Sequence, residues 1–367
     1  MVVLKKIFTY FMFSILFFLL SSGGSQKYVI LLFIVYLVSL YVIGLRKKIK
    51  QQDLYALFII IAPSITIVVL GLISMLINRN LGIYNFYFKN LLFLLLPPIF
   101  AFLVNVIIKN KNIDLPLYSF FSIAMVFFVT RIPNYNSIDL LEGTEAFIFG
   151  LYILYFMMKK KKILLCLAIF LTFLAHKRIV IASVIVCMLL YIFLIILKKF
   201  NIKKINTVIF CGVILIEFLT IYVIKYEKLQ LLKLKFDIND MGRSIIYSFF
   251  DNQYSFSFFY KGNGLGFVDS YFNLINSNVG NLHSDILKIY IEVGFIGFLI
   301  FNLVHLNSYI KIFKKNNREF SNLYFVFIIY VFINYFSDNA LIYIYFLVPL
   351  YLLIFYEYFN NTDYSLS

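Results

Sequence analysis

The sequence predicts an all-α polytopic membrane protein with about twelve transmembrane helices and one large extracytoplasmic loop. Hydrophobic residues fill 63% of the 367 positions and charged residues only 14%, whereas a soluble domain is about half apolar and about a quarter charged. The apolar runs are continuous rather than alternating, which is typical of spanning helices and excludes a spanning barrel. We therefore treat residues 1–367 as a single integral membrane domain.

Twelve apolar segments are the predicted spans, although several are shorter than the ~20 residues of a full crossing. Residues 7–22 follow two lysines and precede SSGGS, which are also features of a signal peptide. The topology of the remainder is the same whether or not this segment is cleaved. The predicted bounds are 7–22, 28–45, 54–77, 90–108, 115–130, 145–158, 163–176, 179–197, 205–224, 285–308, 320–336 and 340–356.

The positions of the basic residues predict the orientation. A net charge of +16 is compatible with a nucleic-acid partner, but the cations concentrate in short loops between spans, which indicates the positive-inside rule instead. Both termini are then cytoplasmic and the polar stretch 225–284 is a hydrated extracytoplasmic loop. The abundance of Phe, Tyr, Ile, Lys and Asn is typical of an AT-rich bacterial gene, so we expect a bacterial inner-membrane protein. Because the cations follow the positive-inside rule, we expect no nucleic-acid partner. The cations placed inside are Lys5, Lys6, Arg46, Lys47, Lys48, Lys50, Lys109, Lys111, Lys159 to Lys162, Lys198, Lys199, Lys203, Lys204, Lys311, Lys314, Lys315 and Arg318.

A short hairpin, 163–197, carries the first candidate site residues. Lysine clusters flank it on both sides, so both arms must cross, yet the first arm rises only about 20 Å at 1.5 Å per residue. This falls short of the ~30 Å hydrocarbon core. We therefore expect His176, Lys177 and Arg178 to lie in a cavity below the outer surface, where charges are usually functional. The alternative is a turn whose long side chains reach back to the interface.

The large loop carries the other candidates: Arg243 in MGRSIIY, the glycine cluster GNGLGF around Gly264, and His283 at the start of a helix. The glycine spacing differs from G-x-G-x-x-G and no βαβ unit surrounds it, so a nucleotide site is not expected. We expect a tight turn beside a sugar instead. Lys288 and Glu292 are four residues apart, a spacing at which they can pair on one helix face. The outer Asp residues do not cluster, so we expect no metal and no cofactor.

The order of these motifs resembles one protein family. An Arg opens an apolar helix (KRIVIASVIV), a second Arg starts the outer loop (GRSIIYSFF), and the glycine cluster precedes His283 and the E-x-G-x-x-G of EVGFIG. A later piece, FSDNALIY, resembles the family's outer Asp-Asn turn. The set is similar to the O-antigen polymerase/ligase superfamily of integral membrane glycosyltransferases, in particular the Wzy-type polymerases. Lys177 stands where the family has a small hydroxyl residue, and Tyr247 stands where it often has Trp.

The resemblance implies transfer of a glycan from one undecaprenyl-diphosphate carrier to the sugar of a second carrier-linked repeat unit, to build O-antigen or capsular polysaccharide. It implies that Arg178 and Arg243 hold the diphosphate, because guanidinium groups bind phosphate bidentately. It implies that His283 deprotonates the attacking hydroxyl or donates to the phosphate. A chain-length regulator is a further implied partner. The implied substrate contacts are Lys177, Asp338, Gly264 and Tyr247.

Simpler roles remain open for three of these residues. Arg243 can anchor the loop to lipid headgroups, His283 can be an ordinary interfacial residue, and Asp338 can form a turn through local hydrogen bonds. Two alternative functions are also open: an O-antigen ligase of the same superfamily, and a flippase or transporter of lipid-linked oligosaccharide. Against a transporter, the sequence contains no internal repeat, which transporter halves usually show.

Overall fold

The computed structural model describes residues 51–108, 114–132, 143–197, 201–226, 242–275 and 281–362. Within these ranges the chain forms twelve α-helices and three short 3-10 helices, and contains no β-strand. The predicted spans 7–22 and 28–45 lie outside the described residues. The α-helices are α1 (Gln51–Ile77), α2 (Tyr84–Ile108), α3 (Asp114–Arg131), α4 (Ala146–Met158), α5 (Lys162–Leu174), α6 (Arg178–Ile196), α7 (Ile202–Lys225), α8 (Arg243–Ser248), α9 (Phe267–Leu274), α10 (Asp285–Lys315), α11 (Arg318–Tyr335) and α12 (Ile344–Thr362).

The helices match the predicted spans closely. Each of the ten predicted spans in the described ranges corresponds to one helix, and α8 and α9 belong to the large loop. Among the described helices, α1, α2, α6, α7 and α10 are long and apolar enough to cross a membrane. This confirms an all-α, membrane-embedded class. The number of twelve spans stays a prediction.

The bundle is held together mainly by apolar packing with a few buried hydrogen bonds between helices. Helix α10 lies antiparallel to α1, and the Ser308 hydroxyl donates to the Ile59 carbonyl at 2.8 Å. Helix α12 packs on α2, where the Asn105 amide donates to the Leu352 carbonyl at 3.3 Å. Helices α4, α6 and α11 meet around Gly150, whose missing side chain leaves room for the Tyr330 hydroxyl.

The two ends of the bundle differ in their charge. At one end Lys159 pairs with Glu357 (Nζ–Oε2 2.7 Å), close to the exposed lysines that separate α4 from α5. The other end carries the described parts of the large loop and the turn between α11 and α12. The orientation of the two ends, with the lysine-rich end cytoplasmic, stays a prediction.

Helix α10 is broken at Gly294, whose φ of 77° and ψ of −179° are not helical. The break frees the carbonyls of Ile291 and Glu292, which accept from the Asn263 and Gly264 amides at 2.9 and 2.8 Å. The amide of Phe295 donates to a loop carbonyl, that of Tyr260, at 3.0 Å. The loop segment 260–264 therefore replaces the lost helical bonds, which buried backbone in a membrane protein requires.

The glycine cluster is explained by this docking. Gly262, Gly264 and Gly266 all have positive φ, so the predicted tight turn is present. A Cβ on Gly262 would overlap the backbone of Gly294, and one on Gly264 would lie 2.7 Å from the Cβ of Met75. Gly264 is buried against α1, so its surroundings are protein. The packing accounts for the glycine without a sugar, and its predicted contact with substrate has no support in this geometry.

Buried polar groups attach α9 to the same region. The Glu292 carboxylate accepts from the amides of Gly266 and Val268 at 3.0 and 3.3 Å, at the start of α9, where a negative charge is favourable. Lys288 pairs with Asp269 (Nζ–Oδ1 3.0 Å). The predicted pairing of Lys288 with Glu292 is therefore wrong, because a partner from α9 takes the ammonium group.

Candidate functional site

The turn between α11 and α12 holds a buried ion pair. Lys177 Nζ lies 2.6 Å from Asp338 Oδ2, with side-chain exposures of 13% and 5%. The ammonium also lies 4.9 Å from the ring centroid of Phe147. The other carboxylate oxygen, Oδ1, accepts from the Tyr343 hydroxyl and the Asn339 amide, both at 2.8 Å. Asp338 thus forms the turn and also binds Lys177 from the α5–α6 hairpin.

The start of α10 is hydrogen-bonded to this turn. The Asp285 amide donates to the Asp338 carbonyl at 3.1 Å, and Asp285 Oδ2 accepts from the Leu341 amide at 2.8 Å. The Ser284 hydroxyl caps α10 by accepting from the Leu287 amide at 3.3 Å. His283 is therefore followed directly by two residues that hydrogen bonds hold in place.

His283 is held in an unusual backbone conformation. Its φ is +54°, in the left-handed region that non-glycine residues rarely occupy. Such strain persists only where the surrounding structure imposes it, and it is often found at functional sites. The hydrogen bonds of Ser284 and Asp285 hold the chain directly after His283, whose side chain is half-buried.

The charges of three side chains act on the imidazole. Burial lowers the pKa of His283 below 6.5, the charges of Arg243 and Lys177 lower it further, and the charge of Asp338 opposes them. The structure thus brings together four ionisable residues from four separate segments of the chain. The lowered pKa keeps the imidazole neutral near pH 7, in the form that accepts a proton.

Arg243 and Tyr247 both lie in α8, a short helix of the large loop. Arg243 opens α8 after Gly242, whose φ of 78° turns the chain into the helix. The Arg243 side chain is half-buried, and Tyr247, one turn later, is buried. The same short helix therefore places a cation near His283 and a phenol ring in the interior.

The three candidate residues of the α5–α6 turn differ in their burial. Lys177 turns inward to Asp338, whereas His176 and Arg178 are exposed. Of the three residues expected in a cavity, the structure thus places one in the interior. Arg178, the next residue after Lys177, is the first residue of α6.

Two residues of the site were not predicted. Tyr343 donates to Asp338, and Asp285 binds the turn through both its amide and its carboxylate. Tyr343 lies in the FSDNALIY motif and Asp285 lies two residues after His283, so both were close to motifs that the sequence indicated. Their contacts depend on the approach of distant segments, which sequence spacing does not give.

Neither a metal site nor a relative identifies the function. Within the described residues, no group of three or more His, Cys, Asp or Glu side chains is arranged to hold a metal ion. No protein-family model matches the chain, and neither a curated protein nor a solved structure matches it. Function is therefore inferred from the chemistry of the site.

The charges around His283 predict how its reactivity changes with pH. We expect diethyl pyrocarbonate, which modifies neutral imidazole, to label His283 with a midpoint below pH 6.5. Lys177→Met or Arg243→Ala should raise the midpoint because each removes a positive charge, and Asp338→Asn should lower it. Labelling of purified protein across a pH series, resolved by peptide mass spectrometry, measures this. The reverse order of the variants would show that these charges do not surround His283.

Proposed function

We propose that the chain is an integral membrane glycosyltransferase that joins carrier-linked oligosaccharide repeat units into a polysaccharide. The observation that supports this is the convergence of Lys177, Arg243, His283 and Asp338 at one end of a helical bundle. Cations suit a diphosphate leaving group, and a neutral histidine beside a carboxylate suits an attacking hydroxyl. The resemblance to the Wzy-type polymerases points to the same reaction.

In the proposed step, a hydroxyl oxygen of the acceptor sugar attacks the anomeric carbon of the donor. The bond between that carbon and the diphosphate oxygen breaks, and its electron pair leaves with the lipid diphosphate. His283 takes the hydroxyl proton, and Asp338 stabilises the imidazolium that forms. Arg243 stabilises the charge on the leaving diphosphate, which is worth several kcal/mol in a site that excludes water.

The exposed Arg178 has a different task in this proposal. It lies at the rim beside the buried Lys177–Asp338 pair, where it meets the diphosphate before the reaction. The substrate contact that the resemblance implies for Tyr247 is proposed on the acceptor side, although its ring is buried in α8. Undecaprenyl-diphosphate-linked glycans are the proposed donor and acceptor, and a chain-length regulator is a proposed partner.

The proposed location follows from the two ends of the bundle. The lysine-rich end faces the cytoplasm and the site faces outward, with both termini cytoplasmic, in a bacterial inner membrane. Two buried charged residues, Glu217 and Lys288, could line the pathway of a transporter. A transporter is less well supported, because Lys288 is bound to Asp269 and Asn90. The site's charges also gather at one end rather than at the midplane, where transporters bind their substrates.

Electrophoresis of surface glycan from a deletion strain tests the proposal. Loss of a polymerase leaves surface glycan that ends in a single repeat unit. Loss of a ligase leaves unmodified acceptor and accumulates carrier-linked polymer, and loss of a flippase traps single repeats on the cytoplasmic side. Either of these last two patterns would contradict a polymerase.

The matched variants assign the reaction to the site. His283→Ala should reproduce the single-repeat pattern, because it removes the proton acceptor. His176→Ala, an exposed histidine of the α5–α6 turn, should give a normal ladder. A normal ladder from His283→Ala would remove this residue from the chemical step.

A further inference from the structure

The large loop exposes two adjacent phenylalanines. Phe258 and Phe259 are 57% and 84% exposed, and they form the tip of a turn, Ser257–Tyr260, closed by the Tyr260 amide donating to the Ser257 carbonyl. We call this segment the aromatic tip. Adjacent exposed aromatic rings on a surface mark a contact with another apolar partner.

The aromatic tip lies beside two candidate membrane spans. The ring of Phe258 is 5.5 Å from that of Phe295 in α10, and Phe295 is 4.8 Å from Phe218 in α7. Phe218 lies about 10 Å below the end of α7 at Lys225, at 1.5 Å per residue. The tip therefore packs alongside the spans rather than above their ends.

The tip also continues an apolar surface of α10. Ile296, Ile300 and Leu303 are exposed at a helical spacing that places them on one face, and this face begins next to Phe295. Exposed apolar residues of α7, such as Leu215 and Leu219, lie at the same depth range. On spanning helices such surfaces contact lipid, so the partner of the neighbouring tip is lipid as well.

The conformation of the tip is fixed. The Tyr260 hydroxyl donates to the Ile291 carbonyl at 2.8 Å, and the Phe295 amide donates to the Tyr260 carbonyl at 3.0 Å. Phe256, just before the tip, stacks on Tyr290. Both flanks of the tip are thus bound to α10 on either side of its break, and this attachment holds Phe258 and Phe259 outward.

We propose that Phe258 and Phe259 insert into the membrane leaflet at the loop end of the bundle and contact lipid acyl chains. The large loop is then not wholly hydrated, contrary to the expectation from its polar composition. Its aromatic tip is a membrane-inserted element that sets the depth of the loop relative to the lipid phosphates. This contact is independent of the proposed reaction.

The absence of tryptophan from the sequence makes a direct test possible. Phe259→Trp introduces a single indole, and proteoliposomes prepared with lipids brominated on the acyl chains quench indoles that contact those chains. Asn252→Trp, at an exposed position on the same loop, is the matched control. We expect bromination to reduce the Phe259→Trp emission about twofold or more, as for an indole in contact with the acyl chains, and to leave Asn252→Trp nearly unchanged.

Two results would overturn the proposal. Equal, weak quenching of both variants with red-shifted emission would place the tip in water. Blue-shifted emission without quenching would show that protein, such as a second copy of the chain, covers the tip. Phe258→Trp repeats the measurement at the neighbouring ring if Phe259→Trp does not elute as folded protein.

Discussion

Replacing Arg243 by alanine is expected to abolish polysaccharide synthesis while the protein remains in the membrane. The charge of the half-buried Arg243 acts on His283, and in the proposed reaction its loss leaves the departing diphosphate uncompensated. The loss of one such group typically costs on the order of 10²–10³ in rate. Turnover of purified variants and the ladder of surface glycan measure it.

Two comparisons sharpen this expectation. Arg243→Lys should recover little activity, because lysine lacks the planar fork that binds phosphate bidentately. Arg178→Ala should have a smaller effect, since this side chain is exposed and its charge is screened by solvent. A normal ladder from Arg243→Ala would show that the large loop is not catalytic.

Replacing Gly262 by alanine is expected to prevent stable folding. The new methyl group would overlap the backbone of Gly294, and Gly262 also has a φ of +77°. The overlap cannot be relieved by a side-chain movement, because the atoms that the new methyl group meets belong to the backbone. The hydrogen bonds between segment 260–264 and the broken helix α10 would be lost, so most of the protein should fail to elute as a monodisperse species.

Gly242→Ala is the matched control. Gly242 has nearly the same φ, +78°, but nothing lies within 4 Å of its Cβ position. It should therefore cost only the left-handed strain, about 1–2 kcal/mol, seen as a modest fall in melting temperature. Equal stability of the two variants would contradict the close contact between Gly262 and Gly294.

The positions of the helices could be predicted because hydrophobic runs report burial in lipid directly. The tertiary contacts could not. The spacing of Lys288 and Glu292 favours a local pair, yet Asp269 binds Lys288 because α9 packs over the break in α10. Likewise the glycine pattern predicted a tight turn, but only the fold shows that α10, α1 and α2 fill the space where the three Cβ atoms would lie.

The candidate site could be predicted only in part from the sequence. The motif order and the charge of the short loops indicated that Arg243, His283 and Asp338 share one end of the bundle. That Asp338 binds Lys177, and that Asp285 and Tyr343 fix the turn, follows from distant segments meeting, which neither composition nor periodicity specifies. The lipid contact proposed for Phe258 and Phe259 could not be predicted from averaged hydropathy, because these two residues have polar neighbours in the sequence.

We propose that this chain alone polymerises carrier-linked repeat units. The direct measurement is incubation of the purified protein, in liposomes, with undecaprenyl-diphosphate-linked repeat units and without any nucleotide sugar. We expect a ladder of longer carrier-linked glycans and released lipid diphosphate from the wild type, and neither from His283→Ala. Failure of the folded wild type to lengthen the glycan, or equal lengthening by His283→Ala, would contradict the account.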